Sequence, residues 1–294
     1  MTNKTNICRA PCSRRLTKDD WCEPTGLAPV AGLLAFGLGL MWVGLCANLP
    51  AWGRMWLLCV ALFLMAKSAV LPAHDRAAFV FLWPGFDAKA FIRMAKTEIP
   101  LALRGSVNLF IGIGLIWMVA RQVAEPFAAT WIAMVGLILA MHCGLFTLLA
   151  AGWRKRGRDV MPLMDAPLLT ASVTEFWGKR WNHAFRDVAH AILFKPVTRK
   201  WGALAGMWAV FIASGLVHEV VVSVPAGAGY GGPTLYFALQ AIGMSLERGC
   251  PIKQRWIWRL RALAVLLLPL PLLFHRPFVM NVCHPFFQTI GALP

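Results

Sequence analysis

Two stretches of this chain contain no charged side chain over lengths that few soluble folds tolerate. Pro24 to Gly53 is uncharged over 30 residues and Pro126 to Trp153 over 28. About 20 apolar residues suffice to cross a bilayer as a helix. Of the 294 residues, 59% are hydrophobic and 14% are charged. A soluble domain carries roughly 25% charged residues, and one core of this size cannot hide so much apolar surface. The composition excludes disorder, coiled coil, collagen and a secreted disulfide scaffold. It predicts an all-α polytopic integral membrane protein with about seven transmembrane helices.

The spans are expected at about 27–47, 55–71, 105–120, 127–150, 201–222, 233–246 and 257–274. The first apolar run is too long for a signal-peptide core, so residues 1–25 read as a polar cytoplasmic tail before a transmembrane domain over 26–294. The formal charge of +16 tests this layout. Successive gaps between spans alternate in Lys and Arg, with 24 in one set (tail included) and 3 in the other. Lys67 and Arg104 remain, near span ends, where they are expected to snorkel. Basic residues gather on the cytoplasmic side, so the N-terminus is expected inside, and the charge needs no nucleic acid to explain it. The absence of an organelle signal points to a bacterial plasma membrane. Trp52, Trp56, Trp153, Trp201, Trp256 and Trp258 fall near span ends, as an interfacial belt would. The eight cysteines show no C-x-x-C spacing and read as small buried hydrophobes or free thiols. Cys8, Cys12 and Cys22 lack a nearby His to complete a zinc site.

Two segments are neither span nor simple loop. Phe79 to Phe91, broken by Pro84-Gly85, reads as a re-entrant or interfacial segment. Ser172 followed by Glu175 forms a capping box and predicts an amphipathic helix to Phe194. Trp177, Trp181, Phe185, Val188 and Ile192 would form its apolar stripe, on the cytoplasmic surface.

His218 and Glu219 are ionisable residues inside an apolar run, FIASGLVHEVVVSV. Such residues are costly in a bilayer and are candidates for function. A neutral His is the usual general base near pH 7, and Ser214, one turn earlier, is placed to hydrogen-bond it. The plainer reading is a His packed between helices with a Glu at the outer interface. Asn182, at the margin of the amphipathic helix, either caps a helix or is functional. Trp177, Lys179, Arg180 and Trp181 suit a phosphorylated ligand or an anionic lipid surface. His183, Asp187 and His190 share a face, where solvation is commoner than a metal site; no metal site is expected. His142 reads as packed and hydrogen-bonded, and His74, His275 and His284 as interfacial. Pro225 to Pro233 is Gly-rich without a phosphate-loop Lys and reads as a tight outer turn.

The blocks DAPLLTASVTEFWGKRWNHAFRDV and FIASGLVHEVVVSVPAGAGYGGPTLYFALQAIGMSLER together resemble the membrane-bound O-acyltransferase superfamily, in its wax-synthase-like branch. FLWPGFD upstream and LFHRPFV downstream are also similar, so most of 79–280 is covered. The resemblance implies transfer of a fatty acyl group from acyl-CoA to the hydroxyl of a long-chain alcohol. Acyl-CoA would be the co-substrate, with no cofactor, and the partners would be a lipophilic alcohol and the bilayer. His218 and Asn182 match the catalytic positions, and Trp177, Lys179, Arg180, Trp181, Ser214 and Glu219 would surround the substrates. The alternatives are another hydroxyl acceptor (sterol, carotenoid, glycerolipid or polysaccharide) and a non-catalytic lipid transporter. A straight span from Trp201 would place His218 about 26 Å along it, toward the outer face. The helix bearing Asn182 must then dip into the bilayer, or the span must start earlier or tilt.

Overall fold

The computed structural model describes residues 27–72, 74–94, 100–249 and 255–294. The expected tail with Cys8, Cys12 and Cys22 lies outside the described residues, as do Lys96, Cys250 and Lys253. Among the described residues the chain is helical, with no β-strand.

Two apolar helices, α1 (Leu27–Cys46) and α2 (Ala51–Ser68), open the fold as a hairpin. Two short helices follow, α3 (Arg76–Phe81) and α4 (Ala88–Ile92). Then come α5 (Ala102–Gln122) and the 30-residue α6 (Pro126–Lys155). The helical run His183–Ala226 is broken by Gly202, whose φ of 85° lies outside any helix. It therefore divides into α8 (183–201) and α9 (203–226), preceded by a short α7 (173–180). The chain ends with α10 (Gly232–Gly249), α11 (Trp256–Leu273) and a capped helix α12 (276–289).

Six helical runs are long and apolar enough to cross a membrane: α1, α2, α5, α6, the run containing α9, and α11. The expected span at 233–246 is α10, an 18-residue helix that fails on apolarity. Its Gln240 and Glu247 are buried against protein, which explains how polar groups are kept in so apolar a setting.

Glycine sets how closely these helices approach. A Cβ at Gly37 would come within 2.7 Å of Met65 Cγ, and one at Gly44 within 2.9 Å of Leu58 Cδ2. Along that seam α1 docks on α2, leaving Phe36, Leu38 and Trp42 exposed, as lipid-facing residues would be. A Cβ at Gly112 of α5 would overlap the Ala140 main chain of α6. Small residues that allow backbone contact are the usual substitute for hydrophobic driving force between membrane helices.

The polar contacts reproduce the alternation of charge read from the sequence. At one end, Arg93 pairs with Asp159 at 2.6 Å, Arg158 with Asp75, and Arg104 with Asp165 at 3.1 Å. Arg259 donates to the Leu168 carbonyl at 3.0 Å. These contacts join three of the basic gaps. At the other end, Arg54 donates to the Val224 carbonyl at 3.0 Å, and Arg276 lies over the Phe127 ring.

Lys67 does not snorkel. It is fully buried, and its Nζ donates to the carbonyls of Phe79, Trp83 and Gly85 at 2.8, 2.8 and 2.5 Å. Three acceptors match the three N–H groups of an ammonium. The irregular FVFLWPGF segment thus closes around a buried cation, which satisfies backbone groups that no helix could.

Candidate active site

Gly202 breaks the straight span expected from Trp201. Below it, α8 folds back along α9, and Gly206 makes this possible because a Cβ there would overlap Thr198 Oγ1. The expected amphipathic helix over 172–194 is two helices, not one. Trp181 is extended (φ −109°, ψ 130°) and Asn182 left-handed (φ 43°), so α7 ends and α8 begins between them. The stripe from Trp177 to Ile192 therefore does not lie on one face. Trp177 belongs to a separate short helix that reaches into the protein.

His218 sits in α9, half-buried. Its Nδ1 lies 2.7 Å from the Ser214 carbonyl oxygen. A carbonyl only accepts, so Nδ1 carries the proton and Nε2 is the lone-pair nitrogen of the neutral ring. The ring packs on Phe237 at 4.6 Å. The Ser214 hydroxyl does not reach His218; it donates to the Val210 carbonyl at 2.8 Å. Serine in a helix readily bonds back one turn, and here the imidazole takes the next carbonyl in the same way.

Glu219 turns toward α10. Its Oε1 accepts from Gly231 N at 3.0 Å, Thr234 N at 3.1 Å and Thr234 Oγ1 at 2.9 Å. A carboxylate on the first N–H groups of a helix satisfies donors that have no partner within it. Its Oε2 is buried and makes no direct hydrogen bond among the described residues. A shallow, open depression borders this carboxylate, lined also by Tyr230, Thr234, Leu235 and Ala238.

Trp177 is one ring away from His218. It contacts Phe237 at 5.6 Å and Phe211 at 5.7 Å, and its Nε1 donates to Gln240 Oε1 at 3.4 Å. Gln240 in turn donates to the Val265 carbonyl at 2.8 Å. The helix that carries Trp177 is anchored at its start. Ser172 Oγ accepts from Glu175 N at 2.9 Å, as the capping box predicts, while Glu175 reaches Ala171 N at 2.7 Å. Glu247 adds bonds to Val173 N at 2.6 Å and Thr174 N at 2.9 Å.

The remaining sequence candidates lie at the end of α7 and the start of α8. Lys179 is exposed, and its carbonyl bonds the His183 ring at 2.5 Å. Arg180 pairs with Glu175 at 2.7 Å and donates to the Asp165 carbonyl at 3.2 Å. Trp181 stacks on Phe176 with centroids 5.4 Å apart. Asn182 Oδ1 accepts from Phe185 N at 3.1 Å, capping α8. Among the described residues no hydrogen bond or ring contact joins Asn182 to His218.

Sequence reasoning missed Phe237, Gln240, Glu247, Ser223 and His275. Gln240 and Glu247 carried a usable signal, since a polar residue within an apolar run is a candidate by default. His275 is not interfacial but buried. His142 is packed edge-on against Phe146 as expected, but its Nδ1 is buried and, against the expectation of a hydrogen bond, unpartnered among the described residues. His284 Nδ1 lies 2.9 Å from Thr130 Oγ1.

Residues 160–239 match the membrane bound O-acyl transferase family. That stretch contains Trp177, Lys179, Arg180, Trp181, Asn182, Ser214, His218 and Glu219. The chain is also similar to plant proteins. Probable long-chain-alcohol O-fatty-acyltransferase 8 of Arabidopsis thaliana is 28% identical over 34% of this chain and 32% of the relative. Probable long-chain-alcohol O-fatty-acyltransferase 2 of the same plant is 30% identical over 44% of this chain and 42% of the relative. Long-chain-alcohol O-fatty-acyltransferase of Simmondsia chinensis is 35% identical over 22% of this chain and 20% of the relative. The chain thus spans well under half the length of the relatives it matches. The resemblance to the wax-synthase-like branch of the superfamily holds over this stretch. The expected bacterial membrane finds no support in relatives that come from plants.

Proposed function

We propose that the protein is a membrane O-acyltransferase that moves a fatty acyl group from acyl-CoA to the hydroxyl of a long-chain alcohol. The observation that carries this reading is the His218 tautomer. The Ser214 carbonyl holds the proton on Nδ1 and leaves Nε2 as a base in apolar surroundings, within the stretch similar to acyltransferases.

An alcohol is a poor nucleophile at neutral pH. His218 Nε2 takes the hydroxyl proton as the alcohol oxygen attacks the thioester carbonyl carbon. Collapse of the tetrahedral intermediate breaks the C–S bond. The proton passes from His218 to the departing sulfur, releasing coenzyme A and the ester. Asn182 enters as a hydrogen-bond donor through its amide N–H, stabilising the oxyanion, because its Oδ1 is engaged with Phe185 N. Lys179 and Arg180, at the basic and proposed cytoplasmic end, would meet the phosphates of coenzyme A, and the alcohol would arrive from the bilayer.

The test is ester formation by the purified protein in lipid nanodiscs, supplied with labelled palmitoyl-CoA and hexadecanol. Wild type is expected to form hexadecyl palmitate, and His218→Ala to insert normally but form none. Transfer by His218→Ala at the wild-type rate would refute the reading. A product seen only when sterol or diacylglycerol replaces hexadecanol would change the acceptor and keep the chemistry.

A further inference from the structure

His275 is a buried titratable residue outside the mechanism above. It lies between α11 and α12, and its Nδ1 accepts from Phe278 N at 3.2 Å, capping the start of α12. An imidazole nitrogen that accepts carries no proton, so in the neutral ring the proton sits on Nε2. Nε2 lies 3.3 Å from Ser223 Oγ and donates to it. Ser223 is fully buried one turn after Glu219 on α9. Ser223 thus accepts from His275, and the ring ties α9 to the start of α12.

The same ring also supports the Gly-rich turn. Gly229 has φ 78°, and a Cβ there would overlap the His275 imidazole. The turn backbone therefore rests on the ring face. Two residues on, Gly231 donates to Glu219, and Thr234 binds the same oxygen through its N–H and hydroxyl. Thr234 also touches α9 at Gly215, where a Cβ would come within 2.7 Å of its Cα. One turn further along α10 is Phe237, the ring against which His218 packs.

We infer that His275 is a positioning residue for the acyl transfer proposed above, tying Ser223 of α9 to the turn at Gly229 so that the first turn of α10 stays on Glu219 and Phe237 seats the His218 ring. This rests on the proposed function, and the variants separate the two. In His275→Asn the amide oxygen can replace Nδ1 as acceptor for Phe278 N, but the donor to Ser223 is lost. In His275→Gln the amide N–H can replace the Nε2 donor, and the cap on α12 is lost.

The experiment measures kcat and KM for palmitoyl-CoA in nanodiscs, together with amide hydrogen exchange at Gly231–Thr234, for wild type and both variants. The inference expects His275→Gln to keep kcat within about threefold of wild type. It expects His275→Asn to lose about tenfold or more in kcat with KM unchanged and to exchange faster at Gly231–Thr234. A His275→Gln rate at or below that of His275→Asn would make His275 a helix cap only and overturn the inference. Unchanged exchange in His275→Asn would overturn it as well. If wild type forms no ester, or His218→Ala still does, the acyl-transfer reading fails, and the exchange measurement alone decides whether His275 holds the turn.

Discussion

Lys67 Nζ donates to the main-chain carbonyl of Phe79 at 2.8 Å and at the same time lies 3.6 Å from the centre of the Phe79 ring. The phenyl face and the carbonyl of one residue thus share a single buried ammonium, with Trp83 and Gly85 completing the set. The segment before α5 depends on this cation, since its carbonyls have no helical partner. Lys67→Met keeps the apolar stem and strands three acceptors. Leaving a buried acceptor unsatisfied costs about 1–3 kcal/mol, and a loss of at least this size is expected in denaturant unfolding in micelles. A variant as stable as wild type would contradict the role assigned to Lys67.

Asn182 combines a structural and a proposed chemical role, and substitutions separate them. Aspartate keeps the capping oxygen and tolerates the left-handed backbone, but it has no amide donor. Alanine loses both. Asn182→Ala is expected to lower stability by about 0.5–2 kcal/mol and Asn182→Asp to leave it near wild type, while both lose ester formation. Full turnover by Asn182→Asp would remove the amide from the mechanism.

Gly202 is a test of backbone alone. No atom lies within 4 Å of where its Cβ would be, yet its φ is 85°. Gly202→Ala therefore meets no clash, only strain of about 1–3 kcal/mol. A lower Tm is expected with no loss of side-chain packing. An unchanged Tm would mean that the bend between α8 and α9 opens at no cost.

Glu175 makes the start of α7 sensitive to acid. Burial raises its carboxyl, but the Ala171 N–H, Arg180 and Lys179 outweigh burial and hold it below the ordinary carboxylate range. A folded-state value below the unfolded one contributes stability above the unfolded pKa, about 4.3, and that stability is lost as pH falls through the folded value. Amide exchange in α7 is expected to rise below about pH 4 in wild type. Glu175→Gln, lacking the charge at every pH, should show faster exchange already at pH 7 and a smaller acid step. Equal acid steps in the two proteins would assign the sensitivity elsewhere.

Much of the architecture was legible because hydropathy and charge act one residue at a time. The apolar runs marked α1, α2, α5 and α6, and the alternation of Lys and Arg anticipated which gaps meet at each end. The Ser172–Glu175 cap was also readable, since its partners lie within four residues. The seam between α7 and α8 was not. A helical stripe presumes one continuous helix, and only Trp181 and Asn182 adopting non-helical angles broke it. Lys67 was misread for a related reason, because snorkelling is judged from distance to a span end, whereas its carbonyl partners come from 12 to 18 residues away.

The site divides in the same manner. That His218 is an ionisable group in an apolar helix, within a stretch resembling acyltransferases, is a property of the linear chain. Which of its nitrogens carries the proton, which ring it rests on, and which buried groups surround it are tertiary facts. They depend on Phe237, Trp177, Gln240 and His275, brought in from other helices. Such partners are chosen by packing and by the need to satisfy buried polar groups, and neither leaves a mark at fixed sequence spacing.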